Sequence, residues 1–317
     1  MPFHLKAAAF VLLALTCLLP DVTAALALVV GIAFSLAVGN PFPSQVKKLQ
    51  TGLLQASVIG LGAGTQLTVI ARVGVQGVGQ TLLTLSATLG AAWLLAKALR
   101  TERTTSLLIG VGTAICGGSA IAAAGPVVGA KSTQLSISLA VVFLLNAAAL
   151  VLFPPIGHWA GLSAEAFGLW SALAIHDTSS VVGASMQFGE QALAVGTTVK
   201  LARALWIVPL TLLLARFWPR DVDAAAETKG RIKLPWFIVG FIAVAALVTY
   251  VPGLNAVGLQ VASAARKLLV LTLFLVGAGV SREALKSVGV RPLLLGVVLW
   301  VLVASTTLVM IRQGWLT

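Results

Sequence analysis

The chain has 317 residues, of which 59% are hydrophobic and only 9% are charged, whereas a soluble domain has about 25% charged residues. A mean hydropathy of +1.03 excludes a soluble enzyme or binding module, because a core of this length has no room for so much apolar surface, and it predicts a helical membrane protein. The net charge of +12 does not indicate nucleic-acid binding, since the basic residues lie in short connections between apolar runs and no nucleic-acid motif accompanies them.

Apolar segments of membrane-spanning length follow one another along the whole chain. A crossing helix needs about 20 such residues. The sequence therefore predicts an all-α, polytopic fold with about eleven transmembrane helices in a single domain over residues 1–317. The apolar start is followed directly by a second run from Ala24, which favours a retained first helix over a cleaved signal peptide. The predicted spans are 5–19, 22–39, 50–70, 78–98, 105–125, 132–153, 164–186, 191–216, 235–250, 266–281 and 292–312.

Lysine and arginine residues are divided unequally between the two sets of connections. With the N-terminus in the cytoplasm, fourteen fall inside and five outside, and this bias predicts a cytoplasmic N-terminus. The inside set is Lys6, Lys47, Lys48, Lys97, Arg100, Arg103, Arg216, Arg220, Lys229, Arg231, Lys233, Arg282, Lys286 and Arg291. The outside set is Arg72, Lys131, Arg266, Lys267 and Arg312.

Two pairs of similar stretches predict a duplicated architecture. "GAGTQLTVIARVGVQ", residues 62–76, resembles "GAGVSREALKSVGVR", residues 277–291, and the two lie on spans of opposite direction, as in an inverted-repeat transporter. "AICGGSAIAA" from Ala114 resembles "AIHDTSSVVG" from Ala174, and this pair runs parallel. The two pairs imply different offsets, so the sequence leaves open which segments are repeat partners.

The fifth span is crowded with glycine in "GVGTAICGGSAIAAAGPVVGA", residues 110–130. These small residues fit close packing between membrane helices, or they mark an interrupted helix near Cys116, Gly117, Gly118 and Ser119. An interruption frees backbone groups that lipid cannot satisfy, so they must face protein, water or a ligand. The N-terminus of the following half-helix would favour an anion.

The seventh span contains the polar run "IHDTSS", residues 175–180. A charge at a helix centre costs about 2.5–3.5 kcal/mol, so His176, Asp177, Thr178, Ser179 and Ser180 are not expected to face lipid. They fit either a polar clamp between helices or a wet cavity in which Asp177 binds a cation or a proton, or neutralises a basic neighbour. His176 is a second candidate for the coupling ion, because imidazole titrates near neutral pH.

Lys200 and Arg203 lie near the middle of the eighth span. They are three residues apart and so project from nearly one face of a helix, and their distance from both ends makes snorkelling of both side chains strained. We expect one of them to pair with Asp177, which leaves positive charge for an anion. Arginine offers a planar fork that matches oxyanions, whereas lysine offers a point charge.

These motifs resemble a known family. "AICGGSAIAA", "AIHDTSSVVGA" and "VKLARALWIVPL" on successive spans, with "GLGAGTQL" from Gly60 and "FLVGAGV" from Phe274, are similar to the bacterial YeiH-type membrane proteins, which are described as sulfate exporters. The resemblance covers residues 47–291. It implies a multi-pass transporter of the bacterial inner membrane, distantly similar in fold to bile-acid:sodium symporters and sodium/proton antiporters. Two interrupted helices cross beside the substrate in those folds, which by analogy places the crossings at 116–119 and around 277–279.

The sequence thus predicts a secondary transporter for a small anion, such as sulfate or an organosulfonate, that uses alternating access and either proton or sodium coupling. The predicted substrate contacts are Cys116, Gly117, Gly118, Ser119, His176, Asp177, Thr178, Ser179, Ser180, Lys200 and Arg203. Two alternatives stay open, namely a cation/proton antiporter that uses Asp177 and a non-transporting membrane sensor or subunit.

Other activities lack a sequence signal. No nucleotide loop and no metal-ligand spacing such as His-Glu-x-x-His occurs, so we expect no enzyme activity, no catalytic residue, no cofactor and no resident metal. The expected partners are the anion, the coupling ion and the lipid bilayer, without nucleic acid. The sequence leaves the oligomeric state open, with a homodimer as one option.

Overall fold

A computed structural model describes residues 2–19, 22–218, 236–251, 253–279 and 288–316, except for the side chains of residues 69 and 71–78. Every regular element in these ranges is an α-helix, which confirms the all-α prediction for this part of the chain. The helices are α1 (Phe3–Thr16), α2 (Ala24–Ala37), α3 (Pro43–Gly62), α4 (Leu67–Leu99), α5 (Arg103–Ala114), α6 (Gly118–Val127), α7 (Ser132–Trp159), α8 (Ala164–Ala174), α9 (Thr178–Phe188), α10 (Glu190–Ala204), α11 (Ile207–Phe217), α12 (Trp236–Tyr250), α13 (Asn255–Ala278) and α14 (Val290–Arg312).

Several of these helices have the length and apolar composition needed to cross a membrane. Five segments meet both conditions among the described residues. They are Gly79–Leu99 within α4, Ser132–Trp159, Glu190–Phe217 across α10 and α11, Asn255–Ala278 and Val290–Arg312. The helices α1, α2, α6 and α12 are apolar but shorter. The arrangement fits the predicted polytopic membrane protein.

The join between α10 and α11 has a local cause. Pro209 lies in the first turn of α11 and lacks the N–H group that would bond to the carbonyl of Leu205. The regular helix is therefore interrupted at Leu205 and Trp206, which keep helical dihedral angles, and then continues as α11. Together, α10 and α11 form one candidate membrane span, Glu190–Phe217.

The helices pack as two groups. The first, called here the α2–α13 group, contains α1, α2, α3, α12 and α13. A Cβ atom added to Gly31 would overlap the carbonyl oxygen of Phe274, and one added to Gly277 would overlap that of Leu28. Since α2 and α13 thus touch backbone to backbone, they form a tight pair of the kind that small residues permit in membranes.

The second group, called here the α5–α10 group, contains α4 to α11 and α14. The two groups meet along a narrow seam, where α2 and α13 contact α9, α2 contacts α7 and α12 contacts α4. In this seam a Cβ atom added to Gly183 of α9 would lie 2.7 Å from Leu273 of α13 and 2.8 Å from Leu150 of α7. All candidate site residues predicted from the sequence belong to the α5–α10 group.

Some sequence predictions fall on residues outside the described ranges. The polar connection after Trp218 lies outside them up to residue 235, as do residues 280–287 of the stretch that was matched to residues 62–76. The proposed inverted pair is therefore only partly covered by the structure.

Candidate functional site

The fifth predicted span is an interrupted helix that turns back on itself and does not cross as predicted, because Gln134 at the start of α7 donates to Glu102 before α5, and the Ser138 hydroxyl donates to the carbonyl of Thr105 at 3.4 Å. Its first half, α5, has 12 residues and its second half, α6, has 10, so each is about 15–18 Å long and too short to cross a hydrocarbon core of about 30 Å alone. The break covers residues 115–117, where Gly117 has φ 64° and ψ −125°. That conformation is open to glycine and strained for other residues. The glycine-rich sequence here thus marks a break and not merely close helix packing.

The seventh predicted span is interrupted in the same way and also turns back on itself, because the rings of Phe167 and Phe188 stack with centroids 3.9 Å apart and the hydroxyls of Ser171 and Ser185 are hydrogen-bonded at 2.8 Å. The helices α8 and α9 have 11 residues each and are separated by 175–177. Ile175 is extended, with φ −90° and ψ 132°, and Asp177 is the N-cap of α9. The Asp177 carboxylate accepts a hydrogen bond from the backbone N–H of Ser179 at 3.1 Å and another from the Ser179 hydroxyl. Aspartate is among the strongest N-cap residues, which explains why α9 starts here.

The two breaks lie against each other. A Cβ atom added to Gly117 would be 3.3 Å from the carbonyl carbon of His176 and 3.4 Å from the backbone nitrogen of Asp177. From α7, Asn146 reaches the same place, and its Oδ1 accepts hydrogen bonds from the backbone N–H groups of His176 and Asp177, both at 3.1 Å. We call this junction of 115–117 with 175–177 the crossing.

Lys200 and Arg203 are buried beside the crossing, with 0% and 1% of their surface exposed. The Lys200 ammonium donates to the carbonyl oxygens of Ile175 at 2.6 Å and Ala172 at 3.3 Å. The Arg203 guanidinium donates through Nη1 to Leu173 at 3.0 Å and Ala172 at 3.4 Å, and through Nη2 to Ala114. Arg203 therefore joins the C-terminal ends of α8 and α5.

The end of α8 has no free carbonyl group. The last four carbonyls of a helix lack partners within the helix, and lipid offers none. Here Ala172, Leu173 and Ile175 accept from the two cations, and the Trp300 indole of α14 donates to Ala174 at 3.1 Å. This complete set of partners explains how a helix can end inside an apolar protein.

The charges at the crossing follow from the direction of the half-helices. The C-terminal ends of α5 and α8 carry partial negative charge, which the buried cations balance, whereas the N-terminal ends of α6 and α9 carry partial positive charge. Asp177 is the acidic side chain at the crossing and is half-buried. With two cations, one carboxylate and His176 neutral, the formal side-chain charge there is positive by one. An anion is the ligand that such a field favours.

The structure differs from two further sequence expectations. Asp177 was expected to pair with Lys200 or Arg203, but both cations donate to backbone carbonyls, and the ion pair found among the described residues is Arg266 with Glu190 at 2.8 Å. The carboxylate instead satisfies the start of α9, because the N–H groups there have no other partner. The Asp177 carboxylate, with the Ser179 hydroxyl bound to it, therefore caps the N-terminus of α9.

A second difference concerns Ser119, which is exposed, whereas Cys116 and Gly117 are buried. Ser119 is therefore separated from the buried part of the site. The expected second crossing at 277–279 lies at the edge of the described residues: α13 ends at Ala278, Gly277 packs closely against α2, and residues 280–287 lie outside the described ranges. Within the described ranges, a second break lies at 175–177.

The remaining predicted residues lie near the crossing. His176, Thr178, Ser179 and Ser180 are all buried, and Gly118 is the first residue of α6. Among the described residues, no group of three or more His, Cys, Asp or Glu side chains is placed to hold a metal ion.

Sequence reasoning missed Asn146 and Trp300. Each had a signal, since Asn146 is a lone amide in the apolar run "VVFLLNAAALVLF" and Trp300 lies within its span, away from the ends where tryptophan usually anchors. Neither signal indicates which backbone groups the side chain contacts, because those groups belong to other helices.

Known proteins similar to this chain are described as membrane proteins. A family model described as Conserved hypothetical protein 698 matches residues 3–296. A UPF0324 membrane protein of Bdellovibrio bacteriovorus is 54% identical over 308 residues, which cover 97% of this chain and 94% of that protein. A UPF0324 membrane protein of Geobacter sulfurreducens is 47% identical over 315 residues, or 98% of each chain. No solved structure matches this chain. With its long apolar helices and these relatives, the chain is a polytopic helical membrane protein.

Proposed function

The chain belongs to the family described as Conserved hypothetical protein 698, and on that premise we propose that it is a secondary transporter for a small anion that works by alternating access. The proposal rests on one observation above all, which is the meeting of two interrupted helices at the crossing. Transporters use such discontinuous helices to present helix ends and freed backbone groups to a substrate at mid-membrane depth.

The excess positive charge at the crossing supports an anion as the substrate. Lys200 and Arg203 balance the carbonyl ends of α5 and α8 and act on the anion through their field, while the N-terminal end of α6 offers N–H groups and that of α9 is capped by Asp177. Sulfate or an organosulfonate fits this proposal and agrees with the resemblance to the YeiH-type family. Energy would come from an ion gradient, with Asp177 or His176 as the proton or sodium carrier, or from the anion's own gradient, including export.

We also propose a cytoplasmic N-terminus in the bacterial inner membrane. Of the eleven crossings predicted from the sequence, 105–125 and 164–186 are not kept in this proposal, because the two ends of each segment lie together. Three contacts between distant parts of the chain join ends that the proposed topology places on the same side. Asn40 donates to the carbonyl of Ala278 at 3.0 Å, and Arg103 lies over the Trp218 ring at 4.5 Å, both on the inside. On the outside, the backbone N–H of Leu67 donates to Thr249 at 3.3 Å.

A duplicated architecture is part of the same proposal. The parallel pair of stretches from Ala114 and Ala174 supports it, because α5 ends at Ala114 and α8 ends at Ala174, so both helices break at the same place in the paired sequences. The inverted pair at 62–76 and 277–291 would be a second repeat, which relates the segment after α3 to the segment after α13.

Flux measurement tests the function directly. We expect purified protein in proteoliposomes to take up labelled sulfate or a small sulfonate down an imposed gradient, and empty liposomes not to. The informative variant is Asp177→Asn, because asparagine caps a helix as well as aspartate does but cannot bind a proton or a sodium ion by charge. In this variant uptake of the anion should persist and its dependence on a proton or sodium gradient should disappear.

Asp177 also favours a second candidate, a cation/proton antiporter, since it is a half-buried carboxylate beside a helix break. That candidate predicts sodium-dependent proton flux without any anion, and complete loss of that flux in Asp177→Asn. Absence of flux for every ligand that binds would instead indicate a sensor or a subunit.

A further inference from the structure

The side-chain amide of Asn146 is held in one orientation. Its oxygen accepts from two backbone N–H groups, those of His176 and Asp177, and only the oxygen of an amide can accept. The Nδ2 group is therefore fixed on the other side of the amide plane. Asn146 is 3% exposed, so this orientation is set inside the protein and not by solvent.

The fixed Nδ2 group finds no hydrogen-bond partner among the described residues. The same is true of both ring nitrogens of His176, which is 1% exposed and follows directly after the break of α8. Buried polar groups in proteins are nearly always hydrogen-bonded, so unpartnered ones indicate a missing ligand or water. At the crossing, the unpartnered groups are the donor-only NH₂ of Asn146, the imidazole of His176 and the Nε–H of Arg203.

From these contacts we infer that the Asn146 amide is the donor that recognises an oxygen atom of the transported anion, with the His176 ring as a second contact. The inference rests on the proposed anion transport and names the residue that selects the ligand. A donor-only group requires an acceptor, which a small oxyanion such as a sulfate, sulfonate or carboxylate supplies. A bare cation is rejected by the same NH₂ group.

The position of Asn146 fits a gated site. It lies on α7, which meets α2 at the seam between the two helix groups, and α9, which starts at the crossing, meets both α2 and α13 there. Separation of the groups along this seam would open the crossing to one side of the membrane, and the buried state described here would then be the closed one.

Asn146→Asp tests the NH₂ donor separately from the contacts that the Asn146 oxygen makes with the backbone of His176 and Asp177. The aspartate keeps an oxygen for both backbone N–H groups but replaces NH₂ by an ionisable oxygen. The experiment measures the thermal shift of purified protein with potassium sulfate, methanesulfonate and acetate, against potassium chloride as the anion without oxygen, at pH 5.5 and pH 8. The wild-type protein should be stabilised by at least one oxyanion more than by chloride.

In Asn146→Asp, the apparent affinity for that oxyanion should fall at least tenfold at pH 8 and recover in part at pH 5.5, because a protonated carboxyl group regains one donor. Other titratable or charged side chains also face the crossing, namely His176, Asp177, Cys116, Lys200 and Arg203. Both proteins contain them, so the ratio of the variant's oxyanion affinity to that of the wild type at each pH reports the substituted side chain. A purely structural role would lower stability without this pH-dependent ratio.

A second pair of variants applies if the aspartate variant does not fold. Asn146→Gln keeps an amide NH₂ group, whereas Asn146→Met places a side chain as long as glutamine there without a donor. Oxyanion binding should therefore be stronger in the glutamine variant than in the methionine variant. Equal oxyanion binding by wild type and Asn146→Asp at both pH values overturns the inference and leaves the proposed transport standing. If no oxyanion stabilises the wild-type protein beyond chloride, water occupies the site, and both the inference and the proposed function fail.

Discussion

Lys200 and Arg203 act at the scale of single residues as caps for helix C-termini. Arg203 alone satisfies carbonyls of two different helices, α5 and α8, which a lysine cannot do because it lacks the planar fork of the guanidinium group. Removal of both cations would leave several buried carbonyls unpaired. A double alanine variant of Lys200 and Arg203 would therefore not leave the fold intact.

Arg203→Ala is expected to destabilise the protein by about 3 kcal/mol or more, because each buried acceptor left unpaired costs about 1–3 kcal/mol. Arg203→Lys should fall between the alanine variant and the wild type. The measurement is the thermal unfolding midpoint of the protein in detergent. The control is Arg312→Ala, which removes an exposed arginine from the last turn of α14 and should leave the midpoint nearly unchanged. Equal midpoints for Arg203→Ala and Arg312→Ala would contradict the capping role.

At the scale of elements, the two interrupted helices depend on each other. The break of α5 and α6 packs on the break of α8 and α9 through Gly117, and Asn146 of α7 braces the second break from the side. The side chain of Arg203 in α10 bonds to the C-terminal ends of both α5 and α8 and so couples the two breaks. The crossing therefore forms as one unit.

Gly117→Ala should disrupt this unit. The added Cβ would be 3.2 Å from Val142 and 3.3 Å from the His176 backbone, at a residue whose φ of 64° disfavours side chains, and such strain costs about 1–3 kcal/mol. We expect a lower unfolding midpoint and a larger loss of anion uptake in proteoliposomes. The matched control is Gly90→Ala in α4, where a Cβ would have no neighbour within 4 Å and should stabilise the helix by up to about 1 kcal/mol. A midpoint for Gly117→Ala at or above that of Gly90→Ala would show that the backbone there tolerates a side chain.

At the scale of the whole molecule, an ion pair joins the two helix groups. Arg266 of α13 contacts Glu190 at the start of α10, with 30% and 79% of the two side chains exposed. An exposed pair contributes about 0.2–1 kcal/mol, which is enough to bias an equilibrium between closed and open arrangements without locking it.

Glu190→Gln should therefore shift the population towards separated groups. The two cysteines offer a probe, since Cys116 lies at the crossing and is 2% exposed, and a Cys17→Ala background leaves it as the single thiol of the chain. We expect a small water-soluble methanethiosulfonate to label Cys116 up to about fivefold faster in Glu190→Gln, the factor that about 1 kcal/mol allows. Glu165→Gln, an exposed acidic residue in the first turn of α8, serves as the control. Unchanged or slower labelling would mean that the pair does not hold the seam closed.

Residue types along the chain are enough to establish the class of protein, its helical architecture and the location of the polar residues that matter. These properties depend on local composition, because the bilayer selects apolar runs of a set length and makes each buried charge costly. The glycine-rich stretch is therefore recognisable as a candidate break, and the "IHDTSS" run as a buried polar site, from the amino acids alone.

Which groups those residues contact depends on the packing of helices that are far apart in the chain. Arg203 reaches Ala114 and Leu173, Asn146 braces His176, and the break at 175–177 packs on the break at 115–117. A freed carbonyl can be satisfied by any donor within reach, and hydropathy and spacing do not record which helix supplies that donor. These pairings are therefore properties of the folded molecule.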